Sequence, residues 1–242
     1  NPPQRLLDKY LKEGRSVHIA RYYAMIEWFD ETNGQLVDYI DEKGLTDNTL
    51  FIYVTDNGWI QNPTDRGFAL RSKQTAYEAG VRTPIFFVWG DKLKTADRPE
   101  LVSSIDLFPT ILAAAGARAP DNVPGINLLP HLTDGREISR KAIFGESFAH
   151  DVLDLDNPEV TLLYRWVIEG RWKLMLTYDG IVSRNKAAHP RTEKRPQLYD
   201  LIADPYETNN LAKSNPEVVA KMAAQINEWK PVTQATALTT WQ

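Results

Sequence analysis

Thr49-Leu50-Phe51-Ile52-Tyr53-Val54-Thr55-Asp56-Asn57-Gly58-Trp59 is the stretch on which the reading of this chain turns. Leu50 to Val54 is a short, almost unbroken apolar run of residue types that suit strands, and it stops at Asp56-Asn57-Gly58. Such a run predicts a strand buried on both faces, the habit of parallel sheets in α/β proteins. Ligands of open α/β sheets collect at the carboxyl ends of strands, where Asp56 and Asn57 would stand. An anionic oxygen beside a neutral carbonyl oxygen suits a hard cation such as Ca²⁺ or Mg²⁺. Taken alone, Asp-Asn-Gly is turn chemistry first and a site second.

The sequence beyond it shifts that balance. Lys73-Gln74-Thr75-Ala76-Tyr77-Glu78-Ala79-Gly80-Val81-Arg82-Thr83-Pro84 resembles the type I sulfatase segment K-G-T-x-Y-E-G-G-x-R-V-P. It stands at the distance beyond a strand-ending Asp-Asn-Gly that this family shows. Ser104-Ile105-Asp106-Leu107-Phe108-Pro109-Thr110 and Pro124-Gly125-Ile126-Asn127-Leu128-Leu129-Pro130 continue the resemblance in order. Leu198-Tyr199-Asp200-Leu201 closes it, with Asp204-Pro205, Glu207, Asn210 and Leu211. Ordered motifs from about Leu50 to Leu211 are far more specific than any one of them.

The resemblance is to the C-terminal portion of a type I sulfatase, within the alkaline-phosphatase-like superfamily. It implies an α/β fold: part of a mixed sheet flanked by helices over residues 1–140, then a smaller α+β subdomain with antiparallel strands over 141–242. It implies hydrolysis of a sulfate ester, possession of a Ca²⁺ cofactor with Mg²⁺ as second choice, and a periplasmic or secreted location. A sulfated carbohydrate is among the substrates implied. Residue by residue, it places metal ligation on Asp56 and Asn57, and sulfate binding and catalysis on Lys73. The Lys73 ammonium would stabilise charge on the sulfuryl oxygens.

Two departures matter. Gln74 and Ala79 stand where the family has glycine, which argues against positive φ near Lys73. The family's formylglycine nucleophile arises from the Cys or Ser of C/S-x-P-x-R. This chain has no cysteine, and its one Ser-x-Pro, Ser214-Asn215-Pro216, runs on into Glu217-Val218. The nucleophile, and the Asp-Asp pair that completes the family's metal site, are expected on an N-terminal portion. That portion is either a segment of the same protein or a separate chain.

With 242 residues and a net charge of −4, the chain can build one good-sized core, or a core plus a subdomain. It offers no basic stripe for nucleic acid. No apolar run approaches the roughly 20 residues that span a bilayer. The lack of cysteine removes disulfides, zinc–thiolate sites and thiol catalysis, but no compartment.

The first residues, to about Val17, are polar and expected on the surface. Ile19, Tyr22, Tyr23, Ile26, Phe29, Leu36, Val37 and Ile40 then recur at helical spacing. They predict a long amphipathic helix that packs on the sheet and ends at Lys43-Gly44. Gly34 costs that helix about 1 kcal/mol. His18, at its start, reads as a surface or capping residue. Pro84 to Trp89 predicts a second buried strand, and Pro99 to Ala115 a helix. Ala142–Glu146, Leu162–Ile168, Trp172–Thr177 and Gln197–Leu201 read as strands, with a hairpin at Glu169-Gly170-Arg171, and Pro216–Trp229 as a helix. His131, Trp166, Trp172 and Trp229 read as packing residues. Glu78 and Arg82 are expected to pair with each other or to brace their loop.

Asp-Asn together with Lys73 suits a Ca²⁺-dependent sulfatase better than the related phosphodiesterases and phosphonate monoester hydrolases. Those commonly carry Asp-His, whose nitrogen suits transition metals. They are the second reading, and a non-catalytic module that binds sulfated ligands is the third. Glu146 and His150 form a further candidate group, with His150 binding substrate and Asp151, Asp154 and Asp156 beside it. A solvated acidic loop explains the same residues. Arg184, His189, Arg191 and Lys194 form a basic loop that faces either a sulfated sugar or only water.

Overall fold

In the computed structural model, which describes residues 1–150, 153–182 and 193–231, the amphipathic pattern runs unbroken through Gly34 as helix α2 (Val17–Glu42). Ser16 caps it by accepting the Ile19 N–H, and Lys43-Gly44 ends it. The segment before it is on the surface but is itself a helix, α1 (Gln4–Lys12). Leu6 is buried against α2, Tyr10 meets Tyr23 with ring centroids 5.6 Å apart, and Lys9 bonds Glu27 at 2.8 Å. Leu6, Leu7, Tyr10 and Leu11 already share helical spacing in the sequence, beneath a largely polar composition.

The central run forms strand β1 (Phe51–Val54), but it is neither parallel nor doubly buried. It pairs antiparallel with β2 (Ile85–Val88), with Phe51 opposite Val88 and Val54 opposite Ile85. Tyr53 keeps 37% of its surface, Phe86 59% and Val88 57%. Of the α2 face expected to cover a sheet, Ile26, Phe29, Leu36 and Val37 are exposed, while Ile19, Tyr22, Tyr23 and Ile40 are half-buried. Phe29 alone among these is seen against a strand ring, 6.0 Å from that of Tyr53. An apolar run encodes a demand for burial; it does not encode strand direction or the origin of the cover. Among the described residues no helix is long and apolar enough to cross a membrane.

The helix expected over Pro99–Ala115 is shorter, α4 (Leu107–Ala114), entered by a 3₁₀ turn at Ser104–Asp106. The reason lies in Asp106, which is fully buried and committed to other partners. Its carboxylate accepts both guanidinium nitrogens of Arg140, at 2.5 and 2.7 Å, and the N–H groups of Ser103 and Ile126. Thr110 donates to the Asp106 carbonyl and accepts the Leu128 N–H. A Cβ on Gly125 would lie 2.1 Å from the Ile105 carbonyl oxygen, so the two backbones touch there. The motifs at Ser104–Thr110 and Pro124–Pro130 are thus two halves of one buried joint. Beyond it, α5 (Leu129–Asp134) buries His131, whose Nδ1 lies 2.7 Å from the Arg136 carbonyl, in the packing role expected of it.

The remainder is an antiparallel sheet in the order β3 (Ala142–Phe148), β4 (Leu162–Glu169), β5 (Trp172–Thr177), β6 (Gln197–Asp200). Side chains alternate across it as strand geometry requires. Leu174, Leu176 and Leu198 face helix α6 (Pro216–Trp229) through Met222 and Ile226. Leu163, Met175 and Tyr199 lie on the opposite face against Ala76. The sheet is therefore buried on both sides, and the segment that covers its second side is the one that carries Lys73.

Candidate functional site

The Asp56 loop and the Lys73 segment meet backbone to backbone. The Gly58 N–H donates to the Gly80 carbonyl at 2.9 Å. A Cβ on Gly58 would stand 2.2 Å from the Ala79 carbonyl oxygen, and one on Gly80 2.4 Å from that of Ser72. Glycine is needed at Gly58 by the approach of the Lys73 segment, and at Gly80 by the fold of that segment on itself at Ser72 and Thr75. Trp59, next along, lies under the Lys73 ammonium, 5.3 Å from Nζ to the ring centroid. Its ring packs edge-on against Phe68 across a loop closed by the Ala69 N–H on the Ile60 carbonyl. The structure thus brings Asp56, Asn57 and Lys73 into one neighbourhood, with Gly58 and Trp59 as the link.

Two side-chain oxygen groups there are left open. Asp56 is exposed and has no hydrogen-bond or ion-pair partner among the described residues. Asn57 spends its Nδ2 on the Gly58 carbonyl at 2.9 Å, and Oδ1 has no protein donor among the described residues. One carboxylate and one amide oxygen without donors fit a hard cation. Among the described residues no cluster of three or more His, Cys, Asp or Glu forms.

Gln74 does adopt positive φ, +65°, against the expectation from its side chain. That conformation costs an L-residue about 1–2 kcal/mol. Glycine would relieve it, less the roughly 0.5–1 kcal/mol of extra freedom that glycine has when unfolded. Gln74→Gly in the full-length protein is expected to raise the melting temperature by about 1–3 °C. A thermal melt in which the variant unfolds earlier would show that the glutamine side chain stabilises more than its backbone costs.

Behind Lys73 lies a buried charge cluster that sequence reasoning missed. Of the two roles expected for Glu78, the pair with Arg82 does not form, because α3 (Glu78–Val81) is a single turn, and Glu78 instead ties its segment to β5. Its carboxylate meets Lys173 Nζ at 2.9 Å, and Glu207 meets the same ammonium at 3.0 Å. Lys173 is fully buried and Glu207 nearly so. Burial pushes the Glu207 carboxyl above the usual carboxylate range, against the pull of Lys173. The available signal was Lys173 itself, a single charge inside Trp172-Lys173-Leu174-Met175-Leu176.

The second candidate group separates. Glu146 accepts from Arg165 Nε at 3.0 Å and from Lys230, while Arg165 also binds Glu159 and the Lys230 carbonyl. Glu146 therefore serves a buried ion network, and is not open to a substrate. His150 is exposed just past β3, beside Ala149, which shares a core cluster with Ala76. Asp154 closes a turn by accepting the N–H groups of Asp156 and Asn157. Lys194 lies 3.8 Å from Asp179. Asp151, Arg184, His189 and Arg191 fall outside the described residues. A cleft of about 360 Å³ opens between Asn1, His18, Arg21, Gln61 and Arg66. Gln61 accepts the Trp59 indole N–H at 3.3 Å, so this cleft adjoins the aromatic neighbour of Lys73.

Comparison with known proteins identifies the family. A model of the sulfatase family matches residues 2–117, and one of the N-sulphoglucosamine sulphohydrolase C-terminal region matches residues 67–231. The chain belongs to the sulfatase family. It is 28% identical over 215 residues to an N-acetylgalactosamine-6-O-sulfatase of Bacteroides thetaiotaomicron, covering 83% of this chain and 40% of that protein. A solved structure from the same bacterium's locus for metabolism of multiple glycosaminoglycans superposes with a TM-score of 0.68 at 29% identity, over 86% of this chain and 44% of the other. A phosphonate monoester hydrolase of Silicibacter pomeroyi superposes with a TM-score of 0.65 at 25% identity, over 91% and 44%. The alkaline-phosphatase-like fold expected from the motifs is present, and the chain spans less than half the length of these relatives.

Proposed function

We propose that this chain is the C-terminal portion of a sulfuric ester hydrolase and supplies part of its metal site and its sulfate-binding lysine. The observation that carries the reading is the Gly58–Gly80 joint, which holds the donor-free oxygens of Asp56 and Asn57 in the neighbourhood of the Lys73 ammonium. A divalent cation bound by Asp56 and Asn57, Ca²⁺ before Mg²⁺, would polarise the sulfuryl group and favour the ionised nucleophile. Lys73 holds a sulfuryl oxygen and stabilises the charge that gathers there as the S–O bond breaks. Trp59 shields one side of that ammonium from water, which strengthens the interaction. The formylglycine nucleophile and the remaining metal ligands come from an N-terminal portion, as a segment of the same protein or a separate chain. That portion also covers the apolar faces left bare on α2, β1 and β2.

The substrate is a sulfate ester, with a sulfated carbohydrate favoured by the named activity of the N-acetylgalactosamine-6-O-sulfatase relative. His150 is retained as a substrate contact, and the periplasm or the exterior as the location. The Silicibacter pomeroyi likeness supports a second reading, hydrolysis of a phosphonate monoester. Asn57 in place of a histidine weighs against it. The deciding experiment offers the full-length protein an aryl sulfate and an aryl phosphonate monoester under Ca²⁺. The expected preference for the sulfate is at least about 100-fold in kcat/KM, near 3 kcal/mol of transition-state binding. A reversed preference would install the phosphonate reading, and turnover of neither would leave a binding module.

A further inference from the structure

The described residues contain three non-glycine positions with left-handed backbone, Arg71 at φ +61°, Gln74 at +65° and Glu207 at +54°. All three belong to one small assembly. Left-handed backbone at residues with a Cβ is unfavourable and persists only where the surroundings enforce it, a circumstance that gathers at functional sites. Glu207 ties the other elements of this assembly together. Its carbonyl accepts the Arg71 guanidinium at 2.6 Å, and its carboxylate accepts the Glu78 N–H at 2.5 Å. One residue therefore holds both ends of the segment from Arg71 to Glu78, and Lys73 lies between them. Lys173, fully buried on β5, anchors the arrangement by binding the carboxylates of Glu78 and Glu207 together. Tyr77 adds a third tie, donating to Gln197 on β6 at 2.7 Å beneath the Arg71 guanidinium.

We infer that Glu207, seated by Lys173 on the face of the β3–β6 sheet that the Lys73 segment covers, is a positioning residue that sets the place of the Lys73 ammonium. The inference rests on the reading of Lys73 as the sulfate-binding lysine. Its geometry follows from the strand period, because Lys173 shares with Met175 the sheet face that the Lys73 segment covers. A buried ammonium between two carboxylates is a poor source of stability compared with apolar packing, but it fixes one arrangement of the groups around it. The segment that it fixes carries a group whose value depends on placement to within a fraction of an ångström.

The test is a double-mutant cycle in the full-length enzyme with a simple aryl sulfate. Glu207→Gln is expected to lower kcat about 10-fold or more with KM changed less than about 3-fold, since Lys73 acts mainly in the transition state. In a Lys73→Ala background the same substitution should cost less than about 2-fold, because nothing is left to position. Equal losses in both backgrounds, or no loss in the first, would overturn the inference. Arg71→Ala severs one end of the segment at an exposed side chain and leaves the buried charges intact, so it serves if Glu207→Gln does not fold. Hydrogen exchange of the Arg71–Glu78 amides separates this inference from the functional reading beneath it. If the wild type hydrolyses no sulfate ester, the functional reading fails. Unchanged exchange in the variant then refutes the positioning role as well, and faster exchange confined to that segment upholds it.

Discussion

Asp56→Ala is expected to remove the divalent cation and all measurable sulfate-ester turnover in one step. The carboxylate is exposed and makes no ion pair or hydrogen bond among the described residues, so its removal breaks no polar contact among them. Without added metal, the melting temperature of the variant should match wild type, a surface change within about 0.5 kcal/mol. With saturating Ca²⁺ the two should part. A cation present at about 100 times its Kd stabilises the folded state by about 2.7 kcal/mol, and the variant should forfeit that gain. Asn57→Ala removes a neutral oxygen and not a charge, so it should weaken binding without abolishing it. Equilibrium dialysis against Ca²⁺, run beside the thermal melts, reads both consequences. Metal content equal to wild type in Asp56→Ala would take this pair out of the metal site.

The elements legible in the sequence are those whose signal is local. Trp172–Thr177 and Pro216–Trp229 form with the bounds read from alternation and helical period, because both patterns are complete within a few residues. β1 was legible as a strand, while its antiparallel partner lies beyond a thirty-residue excursion that no pattern inside Leu50–Val54 could announce. The site divides along the same line. Asp56, Asn57 and Lys73 sit in motifs with a recognisable order, and the Gly58 N–H on the Gly80 carbonyl joins the two segments that carry them. Lys173, Glu78 and Glu207 could not be joined from sequence, since Lys173 bonds a residue 95 positions away and Glu207 one 129 positions away. Gln74 misled for another reason. A side chain argues against left-handed backbone only when the surroundings do not impose it, and here the ties at Arg71 and Glu78 do.

Lys73→Ala is expected to depress kcat/KM by about 10²–10³, the loss that follows removal of one preorganised donor to a developing oxyanion. Most of that loss should appear in kcat, because the ammonium gains more from the charge of the breaking S–O bond than from the ground-state ester. Stability should barely change. The described contact of Lys73 is the Trp59 ring at 5.3 Å, worth about 0.5–1 kcal/mol in a half-exposed setting. Lys73→Arg should recover little activity, since a planar fork on a longer stem cannot occupy the place of a compact ammonium. The competing account makes Lys73 a brace for its loop and requires early melting with a matching loss of activity. The geometry already assigns bracing to others: Glu207 grips the segment at Arg71 and Glu78, Tyr77 ties it to Gln197, and Lys73 takes no part. Melting temperature and kcat/KM measured on one variant separate the accounts. A Lys73→Ala enzyme that melts several degrees early yet turns over an aryl sulfate normally in the cold would remove Lys73 from the chemistry and make it a structural residue.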